Sequence, residues 1–388
     1  MRSPLHTLVP LLLSVPLAST AIATTPTKYK VTILSSDDAS GNSIDDFGVV
    51  AGSYTLASKA VHASVWAFGR QIDLGTLGKD PDLSSLVQWP VKNYRGLVSG
   101  ISLTDDIDPN KEGWSCAFFL PNPSSHVCLG FVWNPEKNTM RALPTLGGTN
   151  GFATGTNDFG QTVGWAENTV HDPSCVFPQV LQFRPVIWGR DRDDVHELPL
   201  IAGDSSGAAT AINDQGQVVG ISGACGFAVG GVSAAHAVLW ENGVATELVN
   251  PNHARYWNTP MMINRQGDVV GFAGVPNDPQ GNFTPPFSWT RETGWTFLPL
   301  LAGDIAGVAT SINARRQIVG YSNDANSNFH PWLWQHGKLY NLNELVLPGS
   351  GLTGPIQLAF DINDRGEITG TSATHQAFVA VPVGSDPD

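Results

Sequence analysis

Residues 208–220 read Ala-Ala-Thr-Ala-Ile-Asn-Asp-Gln-Gly-Gln-Val-Val-Gly. The first five are short and apolar, and the Val-Val after the turn is β-branched, so both halves suit strands. Asn-Asp-Gln-Gly between them is hairpin chemistry: Asn and Asp hydrogen-bond the local backbone, and Gly accepts a positive φ. Weaker copies lie at 45–52, 93–100, 157–164, 264–271, 313–320 and 363–370. The steps between successive turn starts are 48, 64, 56, 51, 49 and 50 residues. Self-similarity at this period means a solenoid or a propeller. A variable loop follows each motif. Then comes a segment ending in Trp66, Trp133, Trp188, Trp240, Trp289 or Trp334, and a fourth ending at Leu74, Leu143, Leu198, Leu248, Leu298 or Leu342. Four antiparallel strands per repeat make a propeller blade. The expected fold is therefore all-β, a seven-bladed β-propeller with repeats starting near 43, 91, 155, 211, 262, 311 and 361. The last repeat carries only three strands. A strand at 29–34 is predicted to complete it, so that the N-terminal strand closes the ring and leaves no open edge.

Residues 1–23 read as a secretory signal peptide: Arg2 makes a basic start, 8–17 is an apolar run, and Ala21-Ile22-Ala23 offers small residues for cleavage. The run is too short to span a bilayer, and no later segment is long and apolar enough. Residues 24–388 then form one propeller, secreted to an extracellular or periplasmic space and expected as a monomer. Only 14% of residues are charged, while Gly (41) and Pro (27) are abundant, which suits short strands joined by many turns. A net charge of −13 without a Lys/Arg cluster argues against a nucleic-acid partner. Asn282-Phe283-Thr284 is a glycosylation sequon, of consequence in a eukaryotic host.

Long insertions follow the second strands of blades 2, 3 and 4, at 102–130, 166–183 and 222–235. In a propeller these loops share one face, the top, with the connections between blades. They hold all four cysteines, which in an exported chain read as two disulfides. Of the three possible pairings, Cys116–Cys128 within the blade-2 loop and Cys175–Cys225 between neighbouring loops are favoured. The spacings lack the close pairs of zinc sites, and neither a metal nor a cofactor is called for.

The connection into blade 5 breaks the pattern. Blades 4 and 6 are entered through Ala-Gly-Asp turns at 202–204 and 302–304, but here the chain reads Asn250-Pro251-Asn252-His253-Ala254-Arg255-Tyr256-Trp257-Asn258. One imidazole, one guanidinium, one phenol and one indole replace a bland turn. They suit a sugar acid: Trp257 would stack, Arg255 would neutralise a carboxylate, and Tyr256 or His253 would move a proton. The bland alternative is that Tyr256 and Trp257 plug the channel mouth. His62, His236 and His330 share one place at the start of strand three, which suggests a shared structural bond. Arg184 replaces that His in blade 3 and could help form a top-face anion site. Trp89 replaces a small residue of strand one and could project toward the channel. His126 and His171 lie in the inserted loops. Asp105, Asp106 and Asp108 cluster in the blade-2 insertion and read as a solvated acidic loop rather than the facing carboxylates of a hydrolase. No nucleophile elbow, zinc-protease helix or phosphate loop is present in the sequence.

The repeats resemble the HAF-repeat family of exported proteins. The matching residues are Leu74-Gly75-Thr76-Leu77-Gly78, Leu143-Pro144-Thr145-Leu146-Gly147-Gly148, the Ile212-to-Gly220 motif and His236-Ala237-Val238-Leu239-Trp240. The resemblance implies export and a repeat fold, and gives little function. The chain departs from the pattern at Arg316 (turn Gly), Lys92 (Ile) and the blade-5 entry loop. Two readings follow. One is an extracellular binding or scaffold protein presenting a top-face site for a carbohydrate or protein ligand, from the loops of blades 2–5. The other is a polysaccharide lyase acting on a uronate-containing glycan with Tyr256, His253 and Arg255.

Overall fold

The computed structural model describes residues 26–35, 38–112, 116–121, 125–191, 194–226 and 230–384. The proposed signal peptide lies outside them. The strands form seven four-stranded antiparallel sheets. Blade 1 comprises Ala39–Ile44, Val50–Thr55, Val61–Ala67 and Arg70–Gly75. Blade 2 has Ser85–Leu86, Val98–Ile107, His126–Asn134 and Thr139–Ala142. Blade 3 has Gly147–Thr156, Thr162–His171, Leu181–Trp188 and Val195–Glu197. Blade 4 has Ser206–Ile212, Val218–Gly223, His236–Glu241 and Val244–Leu248. Blade 5 has Thr259–Ile263, Val269–Phe272, Pro286–Thr290 and Gly294–Phe297. Blade 6 has Ala306–Ile312, Ile318–Asn323, Phe329–Gln335 and Lys338–Asn341. Blade 7 takes Ile356–Ile362, Ile368–Ser372 and Ala377–Val383 from the C-terminus, and Lys28–Ile33 from the N-terminus as its outer strand. The chain is a seven-bladed β-propeller.

Each letter of the repeat has a structural reason. In the turn, the Asn side chain accepts backbone N–H bonds from two and four residues on, as Asn213 does from Gln215 and Gln217. Its amide donates to the carbonyl of the corresponding Asn in the next blade: Asn157 to Asn213, Asn213 to Asn264, Asn264 to Asn313, and Asn313 to Asn363, at 2.9–3.2 Å. Asn363 carries the series to the Asp45 carbonyl at 2.8 Å, while Asn93 meets the Thr156 carbonyl instead, at 3.3 Å. An amide accepts through its oxygen and donates through its nitrogen at once, which suits Asn to this position. The fourth turn residue has positive φ in every copy, including Arg316 at +60°. The Gly ending the motif is set by a different constraint. A bulge in strand one brings its carbonyl so close that a Cβ on Gly220 would sit 2.0 Å from the Ala208 oxygen. The bulged Thr210 bonds outward to the Pro260 carbonyl of blade 5 at 2.7 Å, and Thr310 does the same to Ala359 of blade 7 at 2.9 Å.

Between blades the core is apolar. Val219, Leu239 and Leu248 of blade 4 pack with Ile263 and Val269 of blade 5, and Val319 and Leu333 of blade 6 with Ile362 and Ile368 of blade 7. The strand-three indoles of Trp188 and Trp240 donate to the Pro144 and Pro199 carbonyls of the preceding blades, which ties the recurring Trp to the recurring Leu-Pro. Both expected disulfides are formed, Cys116–Cys128 and Cys175–Cys225. They suit an oxidising, extracellular or periplasmic environment. No helix among the described residues is long and apolar enough to cross a membrane.

Candidate functional site

The irregular loop into blade 5 is fixed by its two end asparagines. The Asn250 amide donates to the Asn258 side-chain oxygen (2.7 Å) and to the Gly274 carbonyl (3.0 Å). The Asn258 amide donates to the Ala254 and Ala235 carbonyls at 2.8 and 2.9 Å. Within this clamp His253 and Trp257 both hold left-handed φ values, +54° and +61°. Such conformations cost energy for bulky residues and persist where the surroundings enforce them, often at functional sites.

The clamp points His253, Arg255 and Tyr256 into a cavity of about 550 Å³ on the top face. His253 and Arg255 are exposed and Tyr256 is half-buried. The opposite wall is His236, Asp204 and Glu247 of blade 4 and its entry turn, with Ala224, Val232 and Ala235 from the blade-4 insertion. That insertion is pinned beside the cavity by Cys225. His236 Nδ1 lies 2.9 Å from Glu247 Oε1, and its Nε2 lies 3.8 Å from Asp204 Oδ1. Asp204 also accepts from the Ser222 hydroxyl at 2.5 Å. Corresponding pairs recur as His330–Asp304 (2.7 Å) and His62–Asp73 (2.9 Å), so this histidine position has a repeated partner. In blade 4 the pair also lines the cavity. The Asp204 and Glu247 wall was missed from the sequence. Its signal was the Ala-Gly-Asp turn, read there as bland.

Three expected site residues are placed elsewhere. The Trp257 indole donates to the Pro279 carbonyl at 2.9 Å and lies against Gly230 and Gly281, where a Cβ would meet its ring at 2.0 and 2.7 Å. It packs loops together and is not among the cavity residues. Arg184 takes the place of the strand-three His in bonding as well as in sequence: it pairs with Glu197 and donates to the Ser205 carbonyl at 3.0 Å. Its charge is spent within the blade. Trp89 lies beyond the two-residue first strand of blade 2. It is buried, edge-on to Phe119 and Phe152 at 5.6 and 5.3 Å.

In the blade-2 acidic loop Asp105 and Asp106 are exposed as expected, and Asp108 alone is a correction. Asp108 is buried, accepting from the Asn110 and Glu112 backbone and from the Asn150 amide. Glu112 accepts from the Val180 and Leu181 N–H groups of blade 3 at 2.8 and 2.5 Å. Beside them Glu167 takes bonds from Asn150 and Gln179. Burial, and then the Glu112 charge, raise its carboxyl from 4.5 to about 7. This network docks the insertion on blade 3. On the opposite face, the turn residues Asp46, Asp158, Asp214 and Asp364 rim an axial cavity of about 120 Å³. Each accepts a backbone N–H from a neighbouring blade, so these carboxylates also hold the ring. Among the described residues no group of three or more His, Cys, Asp or Glu side chains is arranged to hold a metal ion.

No protein-family model and no curated protein matches the chain. Solved structures match it in fold. Virginiamycin B lyase from Staphylococcus aureus aligns with a TM-score of 0.54 at 11% identity, over 92% of this chain and 100% of that one. The β-propeller domain of the Trilobed protease from Pyrococcus furiosus aligns at 0.47 and 10% identity, over 93% and 99%. An ulvan lyase of the polysaccharide lyase family PL25 aligns at 0.41 and 11%, over 92% and 94%. Likeness at these identities is one of architecture.

Proposed function

We propose that the protein is an exported binding protein that takes a polar ligand, a carbohydrate, in the top-face cavity between blades 4 and 5. One observation carries the reading. His253, Arg255 and Tyr256 sit on a clamped loop and face His236 across a cavity of about 550 Å³. A pocket of this size with a few convergent polar groups on a rigid scaffold is what a small-ligand site requires. Arg255, Asp204 and Glu247 all line the cavity, so its walls carry both signs of charge. That balance suits a neutral or amphoteric sugar better than a polyanion. The two disulfides and the predicted signal peptide support export.

The same convergence supports a second reading, a uronate lyase. Arg255 would neutralise the carboxylate, His253 or Tyr256 would take the C5 proton, and the C4–oxygen bond would break as the leaving oxygen gains a proton, leaving a C4–C5 double bond. The two facing carboxylates weigh against it. The test is a glycan-array and calorimetric screen of the mature protein, run beside an ultraviolet assay for unsaturated ends on polyuronates. The expected result is binding to a neutral or amino-sugar glycan without new absorbance. Arg255→Ala and Tyr256→Phe should weaken that binding about tenfold or more. Absorbance in the wild type but not in Tyr256→Phe would replace binding with elimination. Binding that both variants retain would remove this cavity from the account.

A further inference from the structure

The interface between blades 1 and 2 is underfilled. Where strands two and three face the next blade, the paired residues are Val163 and Ile187, Val219 and Leu239, and Val319 and Leu333 in blades 3, 4 and 6, and the smaller Ser99 and Val132, Val270 and Ser288, and Thr369 and Val379 in blades 2, 5 and 7. In blade 1 the corresponding pair is Ala51 and Val65. From the other side, Ile212, Ile263 and Ile362 pack against the preceding blade. In blade 2 that position is Lys92, whose ammonium turns to the axis and pairs with Asp361 at 2.6 Å. A cleft of about 550 Å³, mostly apolar, lies between the two blades. It opens on the face opposite the disulfide-bearing loops, beside the turns that carry Phe68 and Gly96.

Two charged residues line this cleft, Asp45 and Arg70. The Asp45 carboxylate already accepts from the Phe47 and Val49 N–H groups. Arg70 is exposed at the rim, and among the described residues no hydrogen bond or ion pair engages its guanidinium. We infer that this cleft is a second ligand site, for a small molecule with an apolar body and an anionic head, such as a medium-chain carboxylate. The apolar body lies against Ala51, Val65, Val98 and Trp133. The head meets Arg70 in the bidentate geometry that guanidinium offers a carboxylate.

The probe is decanoate, titrated by calorimetry below its micelle concentration into the mature protein, with decyltrimethylammonium as the cationic control. Micromolar binding of decanoate is expected, weakened about tenfold in Arg70→Gln. The double variant Ala51→Val, Val65→Leu copies residues that blade 4 uses at the same positions, so it should fold with an equal or higher Tm and lose decanoate binding. Absence of binding by the wild type, undiminished binding by the double variant, or equal affinity for the cationic control would each overturn the proposal. A double variant that changed sedimentation while leaving decanoate binding intact would assign the cleft to a second copy of the chain, and would also overturn it. The polar cavity between blades 4 and 5 is untouched by these substitutions, so the outcome is independent of the carbohydrate reading.

Discussion

One atom distinguishes Asp45 from the asparagines at the same position of the other six turns. Its Oδ1 accepts from Phe47 and Val49 as theirs do, but it has no amide to donate and carries a charge instead. Burial is the main influence on this carboxyl, and Asp46 adds to it. They outweigh the local N–H bonds and Lys92, so the folded-state pKa rises above 3.8. An acid whose pKa is raised on folding binds its proton more tightly in the native state. Its contribution to stability therefore falls as pH rises from the unfolded value through the folded one. Asp45→Asn removes that loss and restores the donor. Tm should rise at pH 7, and the gain over wild type should shrink below pH 4, where the wild-type carboxyl is itself protonated. Thermal scans at a series of pH values test this; a gain independent of pH would show that the charge is not the cause. The converse residue is Arg316, held at +60° where the other copies use Gly and tied to Asp268 at 2.8 Å. Both exceptions are legible in the sequence as breaks in a repeat. Their consequences needed the neighbouring blade.

At the scale of the element, the first strand of blade 2 is the most altered piece of the ring. It is only Ser85–Leu86, and Lys92 reaches the axis to meet Asp361. That carboxylate is fully buried and also accepts from Ile44 N and Ser311 Oγ, at 2.7 and 2.6 Å. Burial raises its pKa against the pull of Lys92. The pair therefore ties blade 2 to blades 1, 6 and 7. Removing one partner of a buried ion pair typically costs about 3–5 kcal/mol, whereas replacing both is often nearly neutral. Lys92→Ile alone should cost that much by denaturant unfolding. Lys92→Ile with Asp361→Ser, the residues that blade 6 carries at these positions, should recover most of it. Additive losses would mean the two groups are not coupled. Neither partner could be paired from the sequence, because they lie in separate repeats. The candidate site has the same character. His253, Arg255 and Tyr256 were visible because they interrupt a repeat, but the facing wall of Asp204 and Glu247 exists only once blade 4 is folded. The destinations of Trp257 and Arg184 depend on Gly230, Gly281 and Glu197, none of which the motif names.

For the whole molecule, the fold was legible because recurring letters have recurring partners: the bulge Gly meets strand one in every blade, the turn Asn meets the next turn's carbonyl in most, and the Trp of blades 3 and 4 meets the preceding Leu-Pro. A repeat protein is stable through its neighbour contacts, and a ring adds one more contact than an open array of the same length. Here that contact rests on Lys28–Ile33, paired from Lys28 with Val383 to Ile33 with Phe378. Tyr29 and Val31 on this strand are buried. Without the strand, blade 7 loses these side chains, worth roughly 3–6 kcal/mol together, and exposes the Ala377–Val383 edge to other molecules. A mature protein lacking residues 24–34 should therefore melt on the order of 10 °C lower and associate through the bared edge. A peptide spanning residues 26–35, added in excess, should restore both Tm and the elution volume of the intact protein, since it can reoccupy the edge without being covalently joined. Calorimetry with size-exclusion chromatography reads both. An unchanged Tm would mean that the interfaces of the six other blades hold the ring unaided, and that the terminal strand only covers an edge.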